Sequence, residues 1–447
     1  MAATDQALAD QLHARVASRL AEWREGAERR GRLPAREDEQ QHAGYLIEQL
    51  LAEHARRRIE RGELPLDQEE ERALTATVQA ELFRLGRLQP LLDDPEIENI
   101  DINGCDQVWL HYADGTVKQG PAVASTDGAL IELIQLIAER KGPNPRAFSR
   151  SQPRLHLKLP DGSRLFATMS VSHRPVVSIR RHRLVRVFLT DLVRLRAIDQ
   201  GLHAFLAALV RARKNLLIAG GTGAGKTTLL RALINEIPPT ERLVTIENAY
   251  ELGLHEPELS DLHPNVVALE ARDANIEGEG RVSMADLVRD GLRLNPSRVI
   301  VGEVLGEEIL TMLEAMSQGN PGSMCTIHAE SSLGAFQRVA MYTAKSAQRL
   351  DMETTYQMLA GAVHFVVFIA QRDERHQPGG TLRRFVSSVR EVTGADGKRV
   401  ITNEIYQPGP DGRAVPRPGA PLRCLEELEL AGFDRDWLEQ PAGWWVQ

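Results

Sequence analysis

From Gly220 the chain reads Gly220, Gly221, Thr222, Gly223, Ala224, Gly225, Lys226, Thr227 and Thr228, a run that fits G-x-x-x-x-G-K-[ST]. Glycines at this spacing let backbone N–H groups close around phosphate oxygens, and the helix that follows points its positive end at the same anion. In such a loop the lysine, Lys226, reaches the β- and γ-phosphates. Thr227 offers its hydroxyl to Mg2+, and Thr228 supplies a further hydroxyl to the phosphates. The run predicts a nucleoside triphosphate site.

Hydrolysis of a phosphoanhydride also needs a divalent metal and a carboxylate that orients or deprotonates the attacking water. Glu303 follows the apolar run Val299 to Val301 through Gly302, where it can hold the water or contact the Mg2+ shell. Glu247 closes the run LVTIE, a second carboxylate at a strand end. His328, at the end of SMCTIH, can donate to a γ-phosphate or serve only the packing. Arg289 and Arg293 lie one helical turn apart; they bind an acid or a neighbour's nucleotide, or solvate a helix face. Arg164, Arg180, Arg181 and Arg183 end or follow strands, where guanidinium suits backbone and carboxylate partners as well as phosphate.

These residues need a scaffold that brings them together. Leu216 to Ile218 read as a buried strand, and Leu229, Leu230, Leu233, Ile234 and Ile237 recur at helical spacing. LVTIEN makes the next strand, Leu254 to Gly280 reads as a polar, turn-rich connection, and a helix follows, opened by a Ser283/Asp286 capping box and ended by Pro296. Strands alternating with helices imply a parallel sheet with ligands at the carboxyl ends of the strands, where Glu247, Glu303 and His328 all fall. Upstream, residues 1–86 carry amphipathic helical patterns such as Leu46, Ile47, Leu50 and Leu51, then Leu74, Val78, Leu82 and Phe83, separated by Pro34 and the turn at Gly62 to Asp67. The charged runs ARRRIERGE and DQEEER there read as solvated helix faces or as interaction tails. Residues 87–182 alternate in strand fashion around Asn-Gly and Asp-Gly turns, interrupted by a helix near Gly128 to Arg140. The expected domains are therefore a helical region (1–86), a small α/β domain (87–182), a linker (183–199), a P-loop α/β domain (200–375) and a C-terminal hairpin and tail (376–447). The Trp444-Trp445 end packs locally or docks on a partner.

The chain has 447 residues, with 42% apolar and 26% charged, the balance of a globular protein. A net charge of -8 gives no global basic field to recruit nucleic acid, so that partner is not expected. Cys105, Cys325 and Cys424 form no C-x-x-C pair, which suggests neither a disulfide framework nor a zinc site. No uninterrupted apolar stretch is long enough for a leader or a span, which places the chain in the cytoplasm, with any membrane contact made through a protein.

The succession GGTGAGKTT, TIENAYEL, RVSMADLVRDGLRLNPSRVIVGE and GSMCTIHAES resembles the Walker A, Asp box, Walker B and His box of the secretion-superfamily ATPases. These are the hexameric motors of type II and type IV secretion and pilus assembly. LQPLLDDPEIENIDING and LPDGSRL with VSIRRH are similar to the N-terminal domain of the CpaF-like branch, which serves Tad/Flp pili. The resemblance implies a RecA-like domain preceded by a small α/β domain, ATP and Mg2+ as ligands, a ring of six, and an inner-membrane assembly protein as partner. It also implies Glu303 as general base and Mg2+ contact, Glu247 as the Asp-box glutamate and His328 as the His-box histidine. Arg164, Arg180 and Arg181 then reach phosphates. Two positions depart from the pattern: Asn248 replaces an aspartate, and Leu305 stands where arginine is expected. Beside the motor, the residues leave open a DNA translocase or conjugation ATPase and a weakly hydrolysing scaffold.

Overall fold

The computed structural model describes residues 3–29, 36–83, 85–139, 148–159, 161–181, 186–272, 280–377 and 380–445. Pro34, Arg183 and the tip of the connection at 273–279 lie outside them. The chain divides into two compact units, Met1–Arg183 and Leu184–Gln447.

In the first unit, helices α1 (Ala3–Glu28), α2 (Arg36–Glu60) and α3 (Gln68–Phe83) bury Leu12, Val16, Leu20, Ile47, Leu50, Leu74 and Val78 against one another. Arg57 and Arg58 of the charged run pair with Glu53 and Glu63 at the surface. Next come α4 (Gln89–Asp93), β1 (Ile97–Asn103), β2 (Val108–Tyr112), β3 (Val117–Gln119), α5 (Asp127–Glu139), β4 (Arg154–Lys158), β5 (Arg164–Thr168) and β6 (Val176–Arg180). The strands form an antiparallel sheet in the order β3-β2-β1-β6-β5-β4. Gly104, Gly115 and Gly162 turn the three hairpin corners at φ 89, 84 and 83, values that only the Asn-Gly and Asp-Gly chemistry supplies without strain. Leu130, Ile134 and Ile137 of α5 bury one face of the sheet with Ile100, Ile102, Leu165, Val177 and Ile179.

The second unit holds α6 (Leu189–Arg194), α7 (Gln200–Arg211), β7 (Leu216–Gly220), α8 (Lys226–Ile234), β8 (Leu243–Glu247), β9 (Val266–Glu270), α9 (Met284–Leu292) and β10 (Arg298–Val304). It continues with α10 (Glu308–Ser317), β11 (Met324–His328), α11 (Gly334–Lys345), α12 (Met352–Ala362), β12 (Phe365–Asp373), β13 (Leu382–Ala395), β14 (Val400–Pro408), β15 (Ala414–Pro416) and α13 (Leu425–Leu430). One nine-stranded sheet runs β15-β14-β13-β12-β7-β11-β10-β8-β9. From β12 to β9 all pairings are parallel, while β13 to β15 are antiparallel. Apolar clusters cover both faces, one with Phe205, Leu229 and Leu233, the other with Val288, Met312 and Leu359.

Three stretches depart from their sequence reading. Residues 187–199, expected as linker, carry α6, with Val187, Leu189, Leu192 and Ile198 buried in the core. Their apolar spacing is too short to register as a helix, and tertiary burial decides it. The connection expected after Leu254 contains β9, a short run from Val266 to Glu270 that joins the sheet edge by pairing in parallel with β8. The C-terminal hairpin is no appendage: β13 joins β12, and Phe385, Val386, Val389 and Tyr406 enter the core. The tail does pack locally, with the Trp444 N–H donating to Asp199 at 2.7 Å and the Trp445 indole N–H to the Ala414 carbonyl at 3.1 Å.

At the edge where the central strands begin, the guanidinium of Arg298 is 1% exposed. It meets both oxygens of Glu241 at 2.9 and 2.7 Å and donates to the Val210 carbonyl at 2.8 Å. Burial pushes the Glu241 carboxyl up, but Arg298 and Arg213 outweigh it and hold it below its ordinary value of 4.5. Its stabilisation is thus present above that value and lost as pH falls through the lower folded-state value. Glu241→Ala strands a buried cation and is expected to cost roughly 3–5 kcal/mol in urea unfolding at pH 7, a difference that shrinks on acidification.

Candidate nucleotide site

The phosphate loop leaves β7 at Gly220 and turns into α8 at Lys226, with Gly223 at φ 72 and Gly225 at φ 100. Gly220 has no room for a side chain: a Cβ there would stand 2.5 Å from the Ile369 carbonyl oxygen of β12. Lys226 is 6% exposed, and its ammonium donates to the Gly221 carbonyl at 3.0 Å and to His328 Nδ1 at 3.1 Å. Because an ammonium can only donate, Nδ1 is the acceptor and the imidazole proton sits on Nε2. That nitrogen meets Glu303 Oε1 at 2.7 Å, and the same oxygen lies 3.8 Å from the Lys226 ammonium. Lysine, histidine and glutamate from α8, β11 and β10 thus form one connected polar chain beside the loop.

The backbone aims Glu303. Pairing between β10 and β11 slips after Val301, so that Val304 next faces Ile327 and β10 carries one residue more than its partner. Such a bulge bends the strand and turns a side chain out of its alternation. The Thr326 hydroxyl pins it by donating to the Gly302 carbonyl at 2.7 Å. Gly302 packs closely on Glu247, since a Cβ would stand 3.0 Å from Cγ of Glu247 and push that side chain back.

Glu247 is 2% exposed and its Oε1 accepts the backbone N–H groups of Glu251 and Leu252 at 2.7 and 2.8 Å. The carboxylate works as a backbone anchor for the loop after β8. That loop delivers a residue the motif reading passed over: Glu251 Oε2 accepts the Thr227 hydroxyl at 3.1 Å, and Arg231 of α8 donates to the Glu251 carbonyl. The metal contact assigned to Glu303 thus has a competitor, because the carboxylate beside Thr227 is Glu251, while Glu303 faces His328 and Lys226. The position of Glu251 in an irregular loop left no periodic signal for it in the sequence. Arg384 was missed as well; its Nε donates to the Gly223 carbonyl at 2.9 Å.

The remaining candidates stand elsewhere. Arg289 and Arg293 are exposed on and after α9, paired with Asp286 at 2.8 Å and Asp290 at 3.5 Å. Ser283 and Asp286 form the expected capping box. In the first unit Arg181 donates to the carbonyls of Asp94 and Ile97, the backbone alternative. Arg164 and Arg180 face each other in register across β5 and β6. Thr222 and Thr228 lie in the loop and the first turn of α8. Asn248 is exposed and Leu305 is 49% exposed. Among the described residues no three His, Cys, Asp or Glu side chains converge as an all-protein metal site. Mg2+ does not need one, as it takes most of its ligands from phosphate and water, and a hydroxyl beside a carboxylate, as at Thr227 and Glu251, suits it.

In the strand order one strand, β11, separates the P-loop strand β7 from β10 with its glutamate, and this parallel arrangement with helices on both faces is that of a RecA-like P-loop domain. The chain belongs to the family described as Type II/IV secretion system protein, which matches residues 88–400. It is 33% identical over 310 residues to a putative conjugal transfer protein of Mycobacterium tuberculosis, covering 66% of this chain and 82% of that one. It is 32% identical over 313 residues to the protein VirB11 of Agrobacterium fabrum, covering 63% and 87%. Among solved structures, the VirB11 ATPase from the Brucella suis type IV secretion system in complex with sulphate matches at 29% identity and TM-score 0.36, over 68% of this chain and 92% of that chain. No helix among the described residues is long and apolar enough to cross a membrane.

Removing the Glu247 anchor frees two buried amides. Glu247→Ala is expected to lower stability by about 2–3 kcal/mol and to speed hydrogen exchange at Glu251 and Leu252 before other amides of the second unit.

Proposed function

We propose that the chain is a Mg2+-dependent ATPase whose turnover powers a secretion or pilus machine, working as a ring of six against an inner-membrane assembly protein. The observation that carries this reading is the Lys226, His328 and Glu303 chain beside the phosphate loop. Lys226 binds the triphosphate, and Glu303, steadied by His328, accepts the proton of the attacking water. His328 in turn links the occupancy of the γ-phosphate position to the aim of that base. Thr227 and Glu251 are the residues that would hold Mg2+, which neutralises charge on the β- and γ-phosphate oxygens when bound. Arg164 and Arg180 are the first-unit arginines with the best claim to phosphate contacts.

Family membership supports the secretion role, and the conjugal-transfer and VirB11 relatives favour a type IV secretion or conjugation machine. The Tad/Flp assignment rests on the N-terminal motifs alone. Asn248 and Leu305 support a second reading, a scaffold that binds ATP and hydrolyses it slowly.

Lys226→Ala is expected to abolish ATP binding in calorimetry. Glu303→Gln should bind ATP with near-parental affinity but release phosphate on the order of a hundredfold more slowly. Parental turnover by Glu303→Gln would remove it as base; negligible phosphate release by the parent chain would favour the scaffold.

A further inference from the structure

The phosphate loop is also gripped from outside, by residues that belong to none of its motifs. Arg384, the third residue of β13, donates from Nε to the Gly223 carbonyl at 2.9 Å, and its Cδ lies 3.9 Å from where a Cβ on Gly225 would stand. Gln371 of β12 is its cross-strand partner, with Oε1 3.6 Å from the corresponding point on Gly223. Two residues earlier on β12, Ile369 closes against Gly220.

A trans peptide group is planar, so its carbonyl oxygen and its N–H point in opposite directions. Fastening the Gly223 carbonyl outward on a guanidinium therefore commits the N–H of Ala224 to the inner side of the loop. There it donates toward the Gly221 carbonyl at 3.4 Å, an acceptor it shares with the Lys226 ammonium. This peptide turns on ψ of Gly223 and φ of Ala224, and Gly223, at φ 72, lacks the side chain that would resist its turning over. Turned over, it would present an oxygen to an incoming phosphate in place of a donor.

We propose that Arg384 is a positioning residue of the triphosphate site, holding the 223–224 peptide with its N–H inward so that phosphate affinity depends on strand β13. This rests on the loop being a nucleotide seat, as proposed above. The charge of Arg384 acts through the peptide and not by contact with the reacting atoms, so binding is affected more than chemistry.

The test compares the full-length parent with Arg384→Ala, Arg384→Lys and Lys226→Ala, using ADP calorimetry, steady-state phosphate release and thermal melting without nucleotide. Arg384→Ala should raise KM for ATP and Kd for ADP about tenfold, equivalent to roughly 1.4 kcal/mol, with kcat falling less than about threefold. The nucleotide-free melting midpoint should stay near the parent's. Arg384→Lys keeps a donor for the Gly223 carbonyl and should recover most of the affinity. Parental KM and Kd in Arg384→Ala would overturn the proposal while leaving the nucleotide reading intact, and so would Arg384→Lys binding as weakly as Arg384→Ala. A parent chain that binds no ADP, or a Lys226→Ala chain that binds it normally, would overturn both.

Discussion

A buried ammonium needs partners, and in this fold the partner set of Lys226 determines the rest of the site. With 6% exposure it is served by the Gly221 carbonyl and by the imidazole of His328, which passes the interaction on to Glu303. The chain exists because β11 lies between β7 and β10 and runs parallel to both, placing His328 level with Gly220. The ammonium and the carboxylate are thereby joined through one ring. The neutral tautomer, with its proton on Nε2, is what lets the imidazole accept from one side and donate to the other.

Behind this first line stands a set of contacts whose work is geometric. The Gly302 bulge turns Glu303, the Thr326 hydroxyl holds the bulge, and the absent side chain of Gly302 leaves space for Glu247. Glu247 then ties down the loop that carries Glu251 to Thr227. Two carboxylates thus stand near the loop with different partners, Glu303 beside the histidine and Glu251 beside the threonine hydroxyl. The family likeness names the motifs; the packing distributes the labour among them.

The C-terminal strands close the arrangement on the outer side. β12 presses on Gly220 so tightly that no other residue fits there, and β13 brings Arg384 to the Gly223 carbonyl. The core beneath is continuous from α6 and α7 through β7 to β13 and β14, with Phe205 packed against Phe365, Tyr406 and Phe433 at ring distances of 5.8, 5.3 and 5.3 Å. The loop is therefore set by long-range packing as much as by its own glycines.

The phosphate loop, the alternation of strand and helix, the hairpin turns of the first unit and the strand-end placing of Glu247, Glu303 and His328 were all legible in the sequence. Each depends on local rules: glycine at positive φ, apolar period, capping and turn chemistry. Strand β9, helix α6 and the inclusion of β13 to β15 in the main sheet were not legible, because their stability comes from partners far along the chain. The same holds for chemistry. Residue types named the acids, but only the folded sheet made Glu247 an anchor and joined Glu251 to Thr227 and Arg384 to Gly223. Hydrogen bonds between distant segments are fixed by register and bulge, and neither is written in any single stretch of residues.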